Sequence, residues 1–156
     1  MKIAVLDNLR SVYNVGSIFR TANAVGIEKI YLCGTTPTPI DKKGLPRKDF
    51  AKVALKAETT ISWEYKEDIV TTLQELKAKG CYIVAFEQDK NSVDYKDIQI
   101  EDTKDIVFII GPEVTGMTQE VLAECDVIAE IPMLGTKESL NVTIAFGIGV
   151  YRILGL

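Results

Sequence analysis

The 156-residue chain suits a single domain, and with 47% hydrophobic residues it can bury a sizeable core. The complete lack of histidine excludes Ser-His and Cys-His catalysis and every His-ligated metal site, so proton transfer falls to Asp, Glu, Lys, Arg, Tyr, Cys, a hydroxyl or water. A net charge of −4 argues against a wholly basic nucleic-acid binder, and no stretch reaches the roughly 18 uninterrupted apolar residues of a membrane span.

In chain order, "KIAVLD" reads as a first strand that turns polar at Asp7, unlike a signal peptide. Asn14 is a plausible N-cap, and Val15–Val25 then reads as a helix closed by Gly26. "KIYLCG" is a second buried strand and "TTPTPIDKKGLP" a loop of turn formers. "RKDFAKVAL" is helical in pattern, and "ISWEYK" is a short extended piece. "EDIVTTLQELKAKG" predicts an amphipathic helix with Ile69, Leu73 and Leu76 on one face and Gly80 as its stop. After the strand "CYIVAFE", residues 87–105 are acidic and polar, with room only for a brief helix or strand. "DIVFIIG" is a buried strand, "TQEVLAECD" a helix, "VIAEIPM" a strand, and "SLNVTIAFGIGVYRIL" a final helix. Strands alternating with helices predict an α/β domain with a mostly parallel sheet flanked by helices. Continuous apolar strands are expected when both sheet faces are covered. Cys33, Cys81 and Cys125 are odd in number and too far apart for a disulfide framework or a zinc knuckle, which points to reduced cytosolic thiols.

The charge is uneven. Residues 41–56 hold six Lys/Arg against two Asp, a net +4, leaving −8 on the remainder. A basic segment on an acidic body permits RNA contact on one face, and it equally fits a solvated loop and helix.

Three places break local rules. In "NVGSIFRTANAVG", Arg20 projects from a helix face of small residues, Gly16, Ser17, Asn23 and Ala24, where it is either solvated or employed. In "FIIGPEVTGMT", a buried strand ends in Gly111, Pro112 and Glu113, followed by Gly116 and a helix capped at Thr115 or Thr118. Ligands of open α/β sheets bind beyond the carboxyl ends of strands, and Gly111 and Gly116 allow close approach and a positive φ. Neither G-x-x-x-x-G-K-[ST] nor G-x-G-x-x-G is present, which counts against a nucleoside triphosphate and against NAD. Glu113 suggests a donor-rich partner such as Arg20. In "IPMLGTKESLNVTIAFGIGVY", the last helix is apolar almost all round, with Ser139 as its natural N-cap and Asn141 left to hydrogen-bond something else. Gly147 and Gly149 weaken that helix unless close packing compensates. Each feature alone also fits an ordinary structural role.

Together the three stretches, in this order, resemble the three motifs of the SpoU (TrmH-type) ribose 2′-O-methyltransferases of the SPOUT class, and the resemblance spans nearly the whole chain. "GPE" is less common in that family than "GNE", and it occurs in members acting on the tRNA wobble ribose. The chain is expected to lack the extra N-terminal RNA-binding domain of many relatives and to be a minimal catalytic core, one domain over residues 1–156. The resemblance implies a SPOUT-type α/β fold with a deep C-terminal trefoil knot, an exception to the usual absence of knots. It implies S-adenosylmethionine as cofactor, no metal, an active site at a homodimer interface, no membrane and a cytoplasmic location. On matching positions, Phe86, Gly111, Ile131, Ser139 and Leu140 would line the cofactor site, and Arg20, Asn14, Glu113, Ser139 and Asn141 would form the catalytic network.

The implied reaction is attack of an RNA ribose 2′-OH on the cofactor's methyl group, with tRNA preferred over ribosomal RNA. The family assigns Arg20 the central part, often as general base. A guanidinium is effectively never deprotonated in proteins, so Arg20 is better cast as binding phosphate and stabilising a developing alkoxide. RNA would meet Arg20 together with Lys42, Lys43, Arg47 and Lys48. Methylation of a base nitrogen is a second reading, disfavoured by "SLN". A flavodoxin-like nucleotide-binding module is opposed by the missing phosphate-loop glycines. A non-catalytic RNA-binding relative is opposed by the intact Arg20, Glu113 and Asn141.

Overall fold

The computed structural model describes residues 1–101 and 104–156. The chain runs β1 (Lys2–Asp7), α1 (Val12–Ala24), β2 (Lys29–Cys33), α2 (Lys48–Ala54), α3 (Ala57–Thr60), β3 (Ser62–Lys66), α4 (Ile69–Ala78), β4 (Tyr82–Phe86), β5 (Val93–Asp94), β6 (Ile106–Ile110), α5 (Gln119–Ala123), β7 (Val127–Glu130) and α6 (Val142–Ile153). The polar segment 87–105 holds the two-residue β5 and one 3₁₀ turn, Tyr95–Asp97; positions 102 and 103 of it lie outside the described residues.

Among the described residues, seven strands pair in the order β3-β2-β1-β6-β4-β7-β5, and every ladder is parallel. Register follows the period of two. Ala4 lies opposite Ile30 and Phe108, and Phe108 opposite Val84, so one row faces one layer of helices. Ala4, Leu6, Phe86, Phe108 and Ile110 pack with Phe19 of α1, Phe50 of α2 and Phe146 of α6. Ile3, Val5, Ile83, Val107 and Ile109 fill the opposite face, against Leu73 and Leu76 of α4 and Val121 of α5. Burial on both faces explains why these strands carry continuous apolar runs instead of alternation. No helix among the described residues is long and apolar enough to cross a membrane.

Two helix starts differ from the sequence expectation. Ser11 caps α1, its hydroxyl accepting from the Asn14 backbone N–H at 3.2 Å. Asn14 therefore sits inside the first turn with its amide available. Asn141 caps α6, its Oδ1 accepting from the Thr143 N–H (2.9 Å) and hydroxyl (2.6 Å). Ser139 stays in the preceding loop, so Asn141 has the capping role assigned to Ser139. Ser and Asn are comparably good caps, and local sequence cannot choose between them.

The final helix is not buried all round. Phe146 and Val150 are inside, whereas Ile144, Ile148 and Tyr151 form an exposed outer stripe. The inner face is tight. A Cβ on Gly149 would lie 2.2 Å from Phe86 Cε1, so only glycine lets α6 close over that ring. Phe86 in turn stacks on Phe108 (centroids 5.8 Å) and meets Phe146 edge-on (6.5 Å). Gly147 is different: a Cβ there would meet only Thr21 Cγ2, at 3.9 Å.

Candidate active site

Pairing aligns Leu6, Ile110 and Phe86 in one row, with Ala129 beside Phe86. The carboxyl ends of β1, β6, β4 and β7 therefore lie side by side, and the three unusual stretches all attach there. A cavity of about 360 Å³ opens over β6, β4 and β7. Its lining includes Phe86, Gly111, Ile131, Ser139 and Leu140, all five positions expected to hold the cofactor. Glu113 and Asn141 also reach it. Apolar groups (Phe86, Ile110, Ile131, Leu140, Ala145) and polar ones (Glu87, Gln88, Glu113, Ser139, Asn141) share the walls.

Glycine geometry shapes the loop after β6. Gly116 adopts φ +69, and its N–H donates to the Pro112 carbonyl at 3.2 Å. A Cβ on Gly111 would lie 2.5 Å from Met117 Cγ, so that glycine serves packing within the loop. Glu87 fixes the turn from outside: its Oε2 accepts from the Met117 N–H and its Oε1 from the Gln88 N–H, both at 2.9 Å. Gln88 Nε2 donates to the Glu138 carbonyl at 2.8 Å, tying the loop before α6 to the end of β4. Glu87 and Gln88 escaped the sequence reading. The one available signal was their position just past a buried strand, where ligands of open α/β sheets bind.

The α1 residues divide. Asn14 Nδ2 donates to Glu113 Oε1 at 2.9 Å, joining the first motif to the second. Arg20 does not pair with Glu113 as the sequence suggested. Six residues along a helix advance about 9 Å and rotate about 240° from Asn14, so Arg20 faces elsewhere. It is exposed and lines a different cavity, with Asn23, Leu55, Lys56 and Thr60. Within one chain Arg20 is thus absent from the lining that brings Glu113, Ser139 and Asn141 together. Part of its small-residue face is already filled: a Cβ on Gly16 would lie 3.0 Å from Val53 Cβ, where α2 packs.

Residues 1–151 match the SpoU rRNA Methylase family. The chain belongs to that family. The 23S rRNA (guanosine-2'-O-)-methyltransferase RlmB of Neisseria meningitidis is 30% identical over 93% of this chain and 54% of the relative. The A. aeolicus TrmH/SpoU tRNA modifying enzyme superposes with a TM-score of 0.83 at 29% identity, over 99% of this chain and 74% of that one. An AdoMet-bound rRNA methyltransferase from Sinorhizobium meliloti gives 0.86 at 29%, over 97% and 55%. The chain spans a little over half the length of the curated relatives it matches.

The SpoU chain keeps its basic segment at the surface, between β2 and α3. Lys42, Lys43 and Lys48 are exposed. Asp41 Oδ1 shapes the turn by accepting from the N–H groups of Lys43 (2.8 Å) and Leu45 (2.9 Å). Arg47, the fourth expected RNA contact, is paired within the chain. Its fork holds Asp49 through Nε–Oδ1 (3.1 Å) and Nη2–Oδ2 (2.8 Å), because the two side chains flank the start of α2. That pairing keeps the Asp49 carboxyl below the usual carboxylate range.

Proposed function

We propose that this SpoU family chain is an S-adenosylmethionine-dependent methyltransferase acting on an RNA ribose 2′-OH, with tRNA as the preferred substrate. The observation that carries the reading is the single cavity where the second and third motifs meet, braced from the first motif by Asn14. Its walls fit the cofactor's chemistry. Apolar side chains suit an adenine ring, and the carboxylates of Glu87 and Glu113 suit a ligand bearing sulfonium and ammonium charges. Phe86, Gly111, Ile131, Ser139 and Leu140 would hold it.

Bound S-adenosylmethionine supplies a methyl group on an already electrophilic sulfonium. The chain's task is then to align the ribose oxygen and remove its proton. Arg20 binds the substrate phosphate and stabilises the developing alkoxide as a bidentate, permanently charged donor. The proton passes to the phosphate or to water, since a guanidinium that is always protonated cannot accept it. Asn14 fixes Glu113, and Ser139 and Asn141 complete the hydrogen-bonding wall. Arg20 lies outside its own chain's cavity, so the reading includes a homodimer in which a second copy completes the site. The exposed apolar stripe Ile144, Ile148 and Tyr151 on α6 favours such pairing. The reading also includes the C-terminal trefoil knot that membership of the family implies, and a cytoplasmic location, supported by three unpaired cysteines.

Incubation with S-adenosylmethionine and undermodified tRNA or rRNA, followed by nucleoside mass spectrometry, tests the proposal. A ribose-methylated nucleoside is expected in tRNA. A methylated base would overturn the ribose reading, and methylation confined to rRNA the tRNA reading.

A further inference from the structure

The cavity that Arg20 lines is separate from the proposed cofactor cavity of its own chain. It lies between α1 and the corner joining α2 to α3 and measures about 240 Å³. Arg20 and Asn23 come from α1, and Leu55, Lys56 and Thr60 from the corner. Asn23 Nδ2 donates to Thr60 Oγ1 at 2.9 Å, so those two groups hold each other across the cleft. The two cations are not neutralised: among the described residues, no carboxylate pairs with Arg20 or Lys56.

The corner's backbone is unusual. Leu55 (φ 50) and Lys56 (φ 72) are consecutive non-glycine residues in the left-handed region. Glycine is the ordinary solution at such positions, and non-glycine outliers cluster where a side chain has work to do. Both side chains are exposed, so core packing does not demand either. Lys48 and Lys52, four apart on α2, continue the positive charge along one exposed helix face for a further turn, about 5.4 Å. The one carboxylate on that helix, Asp49, is already occupied by Arg47.

We propose that this cavity seats a backbone phosphate of the RNA substrate between Arg20 and Lys56, with Lys52 and Lys48 meeting the phosphates that follow. The occupant is a polyanionic strand and not a lone anion, because the cations extend beyond the cavity along α2. This inference rests on the RNA reading above and adds Lys56 and Lys52, neither of which the basic-loop residues Lys42 and Lys43 require.

The test is binding of a tRNA transcript across a salt series by wild type, Lys56→Gly, Lys52→Gln and, as a control, Lys79→Gln beyond the end of α4. Glycine is at ease at φ 72, so Lys56→Gly should melt no lower than wild type. Its RNA affinity should fall about tenfold at low salt, and its log–log salt slope should shrink by about 0.9, the loss of one phosphate contact. Lys52→Gln should weaken binding in the same direction. Calorimetric S-adenosylmethionine affinity should stay unchanged in both. If wild type binds the tRNA and Lys56→Gly binds it equally, with an equal slope, this site is overturned and the RNA reading stands. Equal losses in Lys79→Gln and Lys56→Gly would also overturn it, reducing the effect to overall charge. Failure of wild type to bind RNA would overturn both.

Discussion

Asn14 Nδ2 donates to Glu113 Oε1 at 2.9 Å, across 99 residues of sequence, and this bond couples α1 to the loop that walls the cavity proposed for the cofactor. The pair is exposed, so its worth lies in position more than in stability. Asn14→Ala and Glu113→Ala should each cost under about 1.5 kcal/mol of stability. Each should slow single-turnover methyl transfer by up to about 100-fold, the scale of a 1 Å misplacement. The double variant should be no slower than the slower single one. Fully additive losses would show that the two residues act separately.

Arg20 lies apart from that cavity, and this separates chemistry from cofactor binding. Arg20→Ala should reduce methyl transfer by about 100-fold or more, while calorimetric S-adenosylmethionine affinity stays unchanged. Arg20→Lys should fail as well, since an ammonium cannot reproduce the guanidinium fork. Near-normal turnover in either variant would remove Arg20 from the reaction.

Phe86 links stability to the proposed cofactor site, because the same ring packs under Gly149 and lines that cavity. Gly149→Ala must displace the ring and should destabilise by about 1–3 kcal/mol, as overpacking does. It should weaken cofactor affinity in the same experiment. Gly147→Ala, whose Cβ would meet only Thr21 Cγ2 at 3.9 Å, should not lower the melting temperature. A Gly149→Ala protein with unaltered melting and affinity would contradict the packing described.

Asp7 offers a pH-dependent check. It is buried at the end of β1, and burial lifts its carboxyl above the usual range against the opposing pull of the Asn8 amide. Its folded pKa is the higher one, so the associated stability is complete below the unfolded pKa and is lost as pH rises through the folded one. Asp7→Asn removes that loss. Its melting temperature should exceed that of wild type at neutral pH, and the gain should shrink as pH falls towards about 4. Burial first, and then the Asp7 charge, push the neighbouring Cys33 thiol up to about 12. Cys33 should therefore stay unreactive to thiol reagents in the native protein near pH 8, and rapid labelling would contradict its burial.

The sequence by itself determined the layered α/β order, because apolar runs and turn formers act over a few neighbouring residues. Its motifs, through the family they resemble, implied that Phe86, Gly111, Ile131, Ser139 and Leu140 would share one site, and all five line one cavity at the carboxyl ends of adjacent parallel strands. Only the tertiary structure decided which side chains touch. Ser11 and Asn141 took the caps in place of Asn14 and Ser139, Glu113 took Asn14 in place of Arg20, and Glu87 and Gln88 joined the cavity wall. The physical reason is range. Periodicity and capping chemistry name the candidates locally, but the choice between equal candidates depends on helix rotation and on packing against elements up to a hundred residues away.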